Sequence, residues 1–345
     1  MHDRVHHRLD RRRPLARRRT GRPSGIAIAG GIIAALAASA LWNGRQTRLA
    51  IRCNPPRGRF VEVDGVNIHY TDHGGGAGGD EAPVVLIHGN GSMLQDFELS
   101  GVVDRLLPRH RVVVFDRPGA GFSERPDDGK AWTPQRQAAV LVAAADKIGL
   151  IRPIVVGHSW GTLVALAWAL DHADRISALV LASGYYFPGT RLDVIASLPG
   201  ASPATGGLMC HTISPLIGRA SVPLVTRMIF APAAPTRSFV AHFPFALALR
   251  PLQLKATYAD TAQMVAAATL LKQRYDALRL PLALIAGDGD RIVDFTWHTK
   301  QLAGRIPHAR LFVVKGAGHM VHHTAPDDFV AAVEAVAGTV AVRAI

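Results

Sequence analysis

A chain of 345 residues with 48% hydrophobic composition carries enough apolar material for a full core, sized for one elaborated domain or a domain with a lid, and this excludes a mainly disordered body. Its formal net charge of +13 would suit a phosphate-bearing partner, but residues 1–59 hold 14 Arg, no Lys and only Asp3 and Asp10 as acids, which is nearly the whole surplus. The rest is close to neutral, so a nucleic-acid face in the folded part is not supported.

The Arg-rich tail, residues 1–24, stands directly before Gly25–Trp42, an uncharged apolar run. At about 1.5 Å per residue this run reaches about 27 Å, close to a bilayer core, and reads as a transmembrane or signal helix. Arg4 to Arg22 should stay cytoplasmic, which predicts a single-pass membrane protein with its folded domain outside the cytoplasm. A cleaved signal peptide and a secreted product are the competing expectation, because Ala38-Ser39-Ala40 resembles a signal-peptidase site. Residues 43–59 are polar, carry Asn54-Pro55-Pro56 as a stiff break, and read as a linker. Cys53 and Cys210 read as two unrelated thiols, although an exported protein could pair them.

From Phe60 onward short β-rich runs alternate with helical segments, the pattern of a mostly parallel sheet with helices on both faces. Phe60–Tyr70 reads as a hairpin turning at Asp64-Gly65. Val84–Ile87, Val112–Phe115, Ile154–Val156 and Ala178–Leu181 read as buried strands, with helices at Gln135–Ile148 and Leu163–Leu170. The alternation stops after Phe187 and resumes with Leu282–Ala286, a helix near Trp297–Ala303, the run Leu311–Val314 and a helix over Asp327–Ala337. The predicted division is therefore a core of residues 60–187 and 276–345, interrupted by a helical lid, residues 188–275, before the last two strands.

Gly157-His158-Ser159-Trp160-Gly161 is a G-x-S-x-G between a strand and a helix, where glycines permit the strained turn that lifts a serine hydroxyl clear of the sheet. A serine nucleophile needs a base, and His319, in a glycine-flanked loop after the last strand, follows the chain order expected on this scaffold. His322 and His323 are rivals read as surface or helix-entry residues. The base needs an orienting acid, and Gly287-Asp288-Gly289-Asp290 offers two carboxylates: Asp290 as the partner and Asp288 as a turn cap. Backbone N–H groups of Trp160 and of Asn90, in His88-Gly89-Asn90-Gly91-Ser92, are the expected oxyanion donors.

Together with Asp116-Arg117-Pro118-Gly119-Ala120-Gly121-Phe122-Ser123, these motifs make the chain from Phe60 to the C-terminus resemble the α/β-hydrolase family. The resemblance implies an α/β-hydrolase fold and a serine nucleophile, not a substrate. His88-Gly89-Asn90 also resembles the loop of haloalkane dehalogenases, in which the asparagine helps hold halide. Those enzymes and the epoxide hydrolases use aspartate where this chain has Ser159, which argues against both reactions.

The expected chemistry is hydrolysis of an ester-like bond through an acyl-enzyme, with Ser159, His319 and Asp290 as the triad and no metal or organic cofactor. Phe230, Phe239, Phe243 and Phe245 in the lid, with Tyr185 and Tyr186 lining its entrance, suggest a small hydrophobic substrate. Transacylation, perhydrolysis or carbon–carbon bond hydrolysis by the same residues are alternatives. A membrane-tethered binding protein on a hydrolase scaffold is the alternative of another class.

Overall fold

A computed structural model describes residues 25–75 and 81–343; the Arg-rich tail, residues 1–24, lies outside the described residues. Eight strands form one sheet: β1 Arg59–Val63, β2 Val66–Asp72, β3 Val84–Ile87, β4 Val112–Phe115, β5 Ile154–His158, β6 Ala178–Ala182, β7 Leu282–Gly287 and β8 Arg310–Val314. Their spatial order is β1-β2-β4-β3-β5-β6-β7-β8. β1 and β2 pair as a hairpin, Val63 opposite Val66, with Asp64 and Gly65 both at positive φ, +49° and +80°. Two left-handed residues are what a two-residue hairpin turn matching the strand twist requires.

β2 runs antiparallel to β4, and every later pairing is parallel. Strands β3 to β7 are buried along their whole length, without alternation and apolar except for His158 at the end of β5, because helices cover both of their faces. One core layer contains Leu141, Leu163, Trp168 and Tyr275, and the other contains Phe97, Leu106, Phe329 and Val333. At β3 the order reverses, with β4 on one side and β5 on the other. The crevice beyond the carboxyl ends of such strands is where open α/β sheets receive ligands.

The helix Pro134–Lys147 starts where Thr133 accepts a hydrogen bond from the Arg136 backbone N–H at 3.3 Å, with Pro134 in its first turn. Between β6 and β7 the chain is helical, with segments Leu192–Ala201, Gly206–His211, Ser214–Phe230, Arg237–His242, Phe245–Ala248 and Pro251–Lys272. Among the described residues this insertion contributes no strand.

The N-terminal helix departs from the sequence expectation. It runs Gly25–Cys53, continuing through much of the segment read as a linker. The physical reason is docking: Asn43 Nδ2 donates to the carbonyls of His211 at 3.0 Å and Thr212 at 2.9 Å, and Ser39 Oγ donates to Thr212 O at 2.7 Å. Arg219 donates to Asn43 Oδ1 at 2.9 Å and lies over the Trp42 ring. Ala50 completes an apolar cluster with Phe239, Phe243 and Leu247. Asn43, at the start of the segment read as a linker, therefore serves a helix–helix contact. Cys53 is exposed and Cys210 buried, and both are free thiols.

Candidate active site

β5 ends at His158 and the helix Gly161–Asp171 begins three residues later, so the chain must turn sharply at Ser159, whose φ is +52°. A non-glycine residue there is strained and is held by its surroundings. Flanking glycines let the turn close: a Cβ on Gly157 would stand 2.6 Å from the Gly161 carbonyl oxygen, and one on Gly161 would collide with the carbonyls of Ile87 and His88.

His319 Nε2 stands 2.8 Å from Ser159 Oγ, and its Nδ1 stands 2.8 Å from Asp290 Oδ2. A carboxylate only accepts, so Nδ1 donates to it and leaves Nε2 free to accept the serine proton. The other Asp290 oxygen accepts from the backbone N–H of Ile292 at 2.8 Å and of Val293 at 3.0 Å. Asp288 instead accepts from the Gly316 N–H at 2.6 Å, tying the turn after β7 to the histidine loop. Thus Ser159, His319 and Asp290 are brought together and Asp288 is not. His319 and Asp290 are buried, while Ser159 is half-buried.

Beside them lie the two loops at the switch in strand order. The backbone N–H groups of Trp160 and Asn90 make no hydrogen bond among the described residues. Asn90 Nδ2 donates to Thr257 O at 3.1 Å and Thr261 Oγ1 at 2.7 Å, so that side chain is committed to the insertion helix.

Tyr185 and Tyr186 differ from the expected entrance residues. Both are buried in the main core; the Tyr185 hydroxyl donates to Gly189 O and accepts from Gly189 N–H, and its ring packs on His298. Aromatic bulk directly after a central strand fills the space under the covering helices, with Tyr275 donating to Tyr186 O at 2.8 Å. His298 is held neutral by burial, its pKa pushed down to about 4, and accepts from the backbone N–H groups of Tyr186 and Phe187.

His322 and His323 also need correction. They lie on the short helix Val321–Thr324, but both are buried, with Nε2 atoms 3.1 and 2.9 Å from Asp96 Oδ1. Asp96 lies 226 and 227 positions before these two histidines, so nothing local to the pair points to their shared partner.

Arg117 was also missed as part of the site. Fully buried, it donates to the carbonyls of His88 at 3.0 Å and Gly89 at 3.1 Å, and pairs with Asp260 at 2.7 Å. Its backbone N–H donates to His88 Nε2 at 3.0 Å, and burial lowers the His88 pKa to about 4. Arg125 holds the second Asp260 oxygen at 2.7 Å, and Trp160 Nε1 donates to Asp260 O at 3.0 Å. One buried guanidinium therefore links the two loops that carry Asn90 and Trp160.

The sequence profile described as alpha/beta hydrolase fold matches residues 82–326. The chain belongs to the alpha/beta hydrolase family. Haloalkane dehalogenase 2 of Mycobacterium tuberculosis is 32% identical over 142 residues, 41% of this chain and 47% of that protein. The chain thus spans about half the length of that relative. Cis-3-alkyl-4-alkyloxetan-2-one decarboxylase of Shewanella oneidensis is 26% identical over 80% of this chain and 86% of its own length. Among solved structures, an alpha/beta hydrolase fold protein from Burkholderia ambifaria superimposes with a TM-score of 0.66 at 25% identity, covering 80% of this chain and 96% of that one. The matched residues run from just before β3 to beyond β8 and so take in the parallel part of the sheet.

Proposed function

We propose that this alpha/beta hydrolase is a membrane-anchored serine hydrolase that cleaves an ester-like bond through an acyl-enzyme. The observation that carries the reading is the continuous hydrogen-bond chain Ser159 Oγ to His319 to Asp290, each link 2.8 Å. In this reading Ser159 attacks the carbonyl carbon while its proton passes to His319 Nε2. Asp290 stabilises the imidazolium without taking its proton. The backbone N–H groups of Trp160 and Asn90 donate to the oxyanion as charge develops, and being preorganised they need no rearrangement. His319 then protonates the leaving alcohol, and a water activated by the same imidazole releases the acid from Ser159.

The serine at the nucleophile position and the engagement of the Asn90 side chain with Thr257 and Thr261 both favour acyl chemistry over halide displacement. The helical insertion is read as a lid over a hydrophobic acyl group, since Phe230 and Phe239 cluster with Met320 next to His319. Gly25–Trp42 is read as the anchor: the helix is long and apolar enough to cross a membrane, and its apolar window is unburied by the protein. With Arg4–Arg22 retained in the cytoplasm, the domain would lie on the other side.

Hydrolysis of short p-nitrophenyl esters by the full chain in detergent micelles, with Ser159→Ala beside it, tests the proposal. Activity should fall by several orders of magnitude, on the order of 10⁶ if the three groups act as a unit. Covalent labelling by a fluorophosphonate should disappear with it. Equal rates for the two proteins would rule Ser159 out as the nucleophile.

A further inference from the structure

The helical insertion carries an apolar surface that the fold does not cover. On the helix Ser214–Phe230 and the residue before it, Ile213, Ile217, Leu224 and Met228 are exposed, Ile217 and Leu224 by about three-fifths. Their spacing of four, seven and four puts them on one helix face. Leu208 on Gly206–His211, which packs beside this helix, and Ile195 on Leu192–Ala201, which packs in turn on Gly206–His211, show the same kind of exposure. Soluble monomers rarely leave apolar patches larger than a few hundred Å² open to water.

Charge is distributed unevenly here as well. Between Asp193 and Asp260 there is no carboxylate side chain, while Arg219, Arg227, Arg237, Arg250 and Lys255 are basic. Arg227 and Arg237 are exposed. Apolar residues with exposed arginines and no acids suit an interface of phosphate headgroups over acyl chains.

What selects a bilayer over a protein partner is continuity with the N-terminal helix. The apolar run ends at Trp42, and the next residue, Asn43, is hydrogen-bonded to His211 and Thr212 at the start of this surface. Arg219 closes the contact over Trp42. A helix crossing the bilayer up to Trp42 therefore brings Ile213 and Ile217 to the headgroup level. Beyond Trp42 the helix exposes Arg45, Arg48 and Arg52, which fits emergence from the lipid at that point.

We propose that the exposed apolar face of helices Leu192–Ala201, Gly206–His211 and Ser214–Phe230 rests in the headgroup region of the bilayer that the N-terminal helix spans, making the insertion a second membrane contact. The proposal rests on the anchor reading of Gly25–Trp42. The C-terminal end of the helix Ser214–Phe230 turns inward to the reaction centre: buried Phe230 has its carbonyl oxygen where a Cβ on Gly318, the residue before His319, would stand only 2.6 Å away. The membrane-seated helix thus ends against the histidine loop.

The test uses the full chain carrying Cys53→Ser, which leaves only the buried Cys210, with Ile217→Cys, Leu224→Cys, Ile33→Cys or Ile151→Cys added singly. Each is labelled with an environment-sensitive nitrobenzoxadiazole dye and reconstituted into phosphatidylcholine–phosphatidylglycerol vesicles with or without doxyl-labelled phosphatidylcholine. Ile33 reports the anchor, and Ile151, exposed at the amino end of the sheet, reports bulk water. The expected result is quenching by about two-fold or more at Ile33, Ile217 and Leu224, with none at Ile151. Quenching at Ile33 but not at Ile217 or Leu224 overturns the second contact and leaves the anchor standing. A blue-shifted but unquenched label at Ile217 means a protein covers the face, which also overturns it. No quenching at Ile33 removes the anchor reading, and the membrane contact with it.

Discussion

His158 Nε2 donates to the main-chain carbonyl of His319 at 3.0 Å, so the residue before the serine holds the loop that carries the imidazole. Burial drives the His158 pKa well below the ordinary histidine value, which keeps the ring neutral, and its Nδ1 has no partner among the described residues. Its contribution is therefore one donated hydrogen bond. Replacing it by His158→Leu should preserve packing and remove that bond, a loss of about 0.5–1.5 kcal/mol, or up to about tenfold in rate if it is felt at the transition state. The expected outcome with p-nitrophenyl butyrate is a lower kcat with KM nearly unchanged, partly recovered in His158→Gln. An unchanged kcat would mean that the histidine loop needs no such tie.

Arg117 should resist conservative replacement. Its guanidinium reaches two loop carbonyls and Asp260 at once, and a single ammonium cannot match that planar fork. Arg117→Met leaves Asp260 buried with only Arg125 as its charged partner, and breaking a buried pair in this way costs about 3–5 kcal/mol. Thermal unfolding should show a large drop in midpoint, and Arg117→Lys should recover little of it. Equal melting of Arg117→Lys and the parent would show that charge alone matters at this site.

The sheet was readable in the sequence because buried parallel strands are short, wholly apolar and separated by turn residues, as in Val84–Ile87 and Val112–Phe115. The serine turn and His319 were readable because their glycines are required by close backbone approach. Less legible was anything decided by long-range packing. Asp96 is separated from the adjacent His322 and His323 by more than 200 positions, and nothing local to the His-His pair signals burial. Tyr185 and Tyr186 looked available for substrate because aromatic residues after a strand serve cores and pockets alike. The segment after Trp42 reads as a linker because the partners of Asn43, the carbonyls of His211 and Thr212, lie more than 160 positions away.

The serine turn should tolerate no side chain at Gly161. A methyl group there meets the carbonyls of Ile87 and His88, which are backbone atoms at the start of the Asn90 loop and cannot swing aside. Gly161→Ala should therefore separate β3 from the serine turn and displace the Asn90 N–H. Expected outcomes are loss of esterase activity and of fluorophosphonate labelling, together with a lower melting temperature. Gly207→Ala, a glycine with nothing within 4 Å of its added Cβ, serves as the tolerated control.

Acid should destabilise the fold before the carboxylates titrate. His88, His298 and His322 each have a pKa pushed down to about 4, chiefly by burial, against an unfolded value of 6.5. Between about pH 6.5 and pH 4 the unfolded chain binds protons at these positions and the folded chain does not. Stability therefore rises with pH across this window and is lost as pH falls, with a slope of up to about 1.4 kcal/mol per pH unit for each histidine. Thermal midpoints measured in detergent micelles should fall steeply from pH 6.5 to pH 4.5 and stay nearly flat from pH 7 to pH 8. His298→Gln keeps a side-chain oxygen that can accept from the Tyr186 N–H and removes one titrating group, so its acid slope should be shallower than the parent's. An identical slope in that variant would show that His298 takes no part in the acid response.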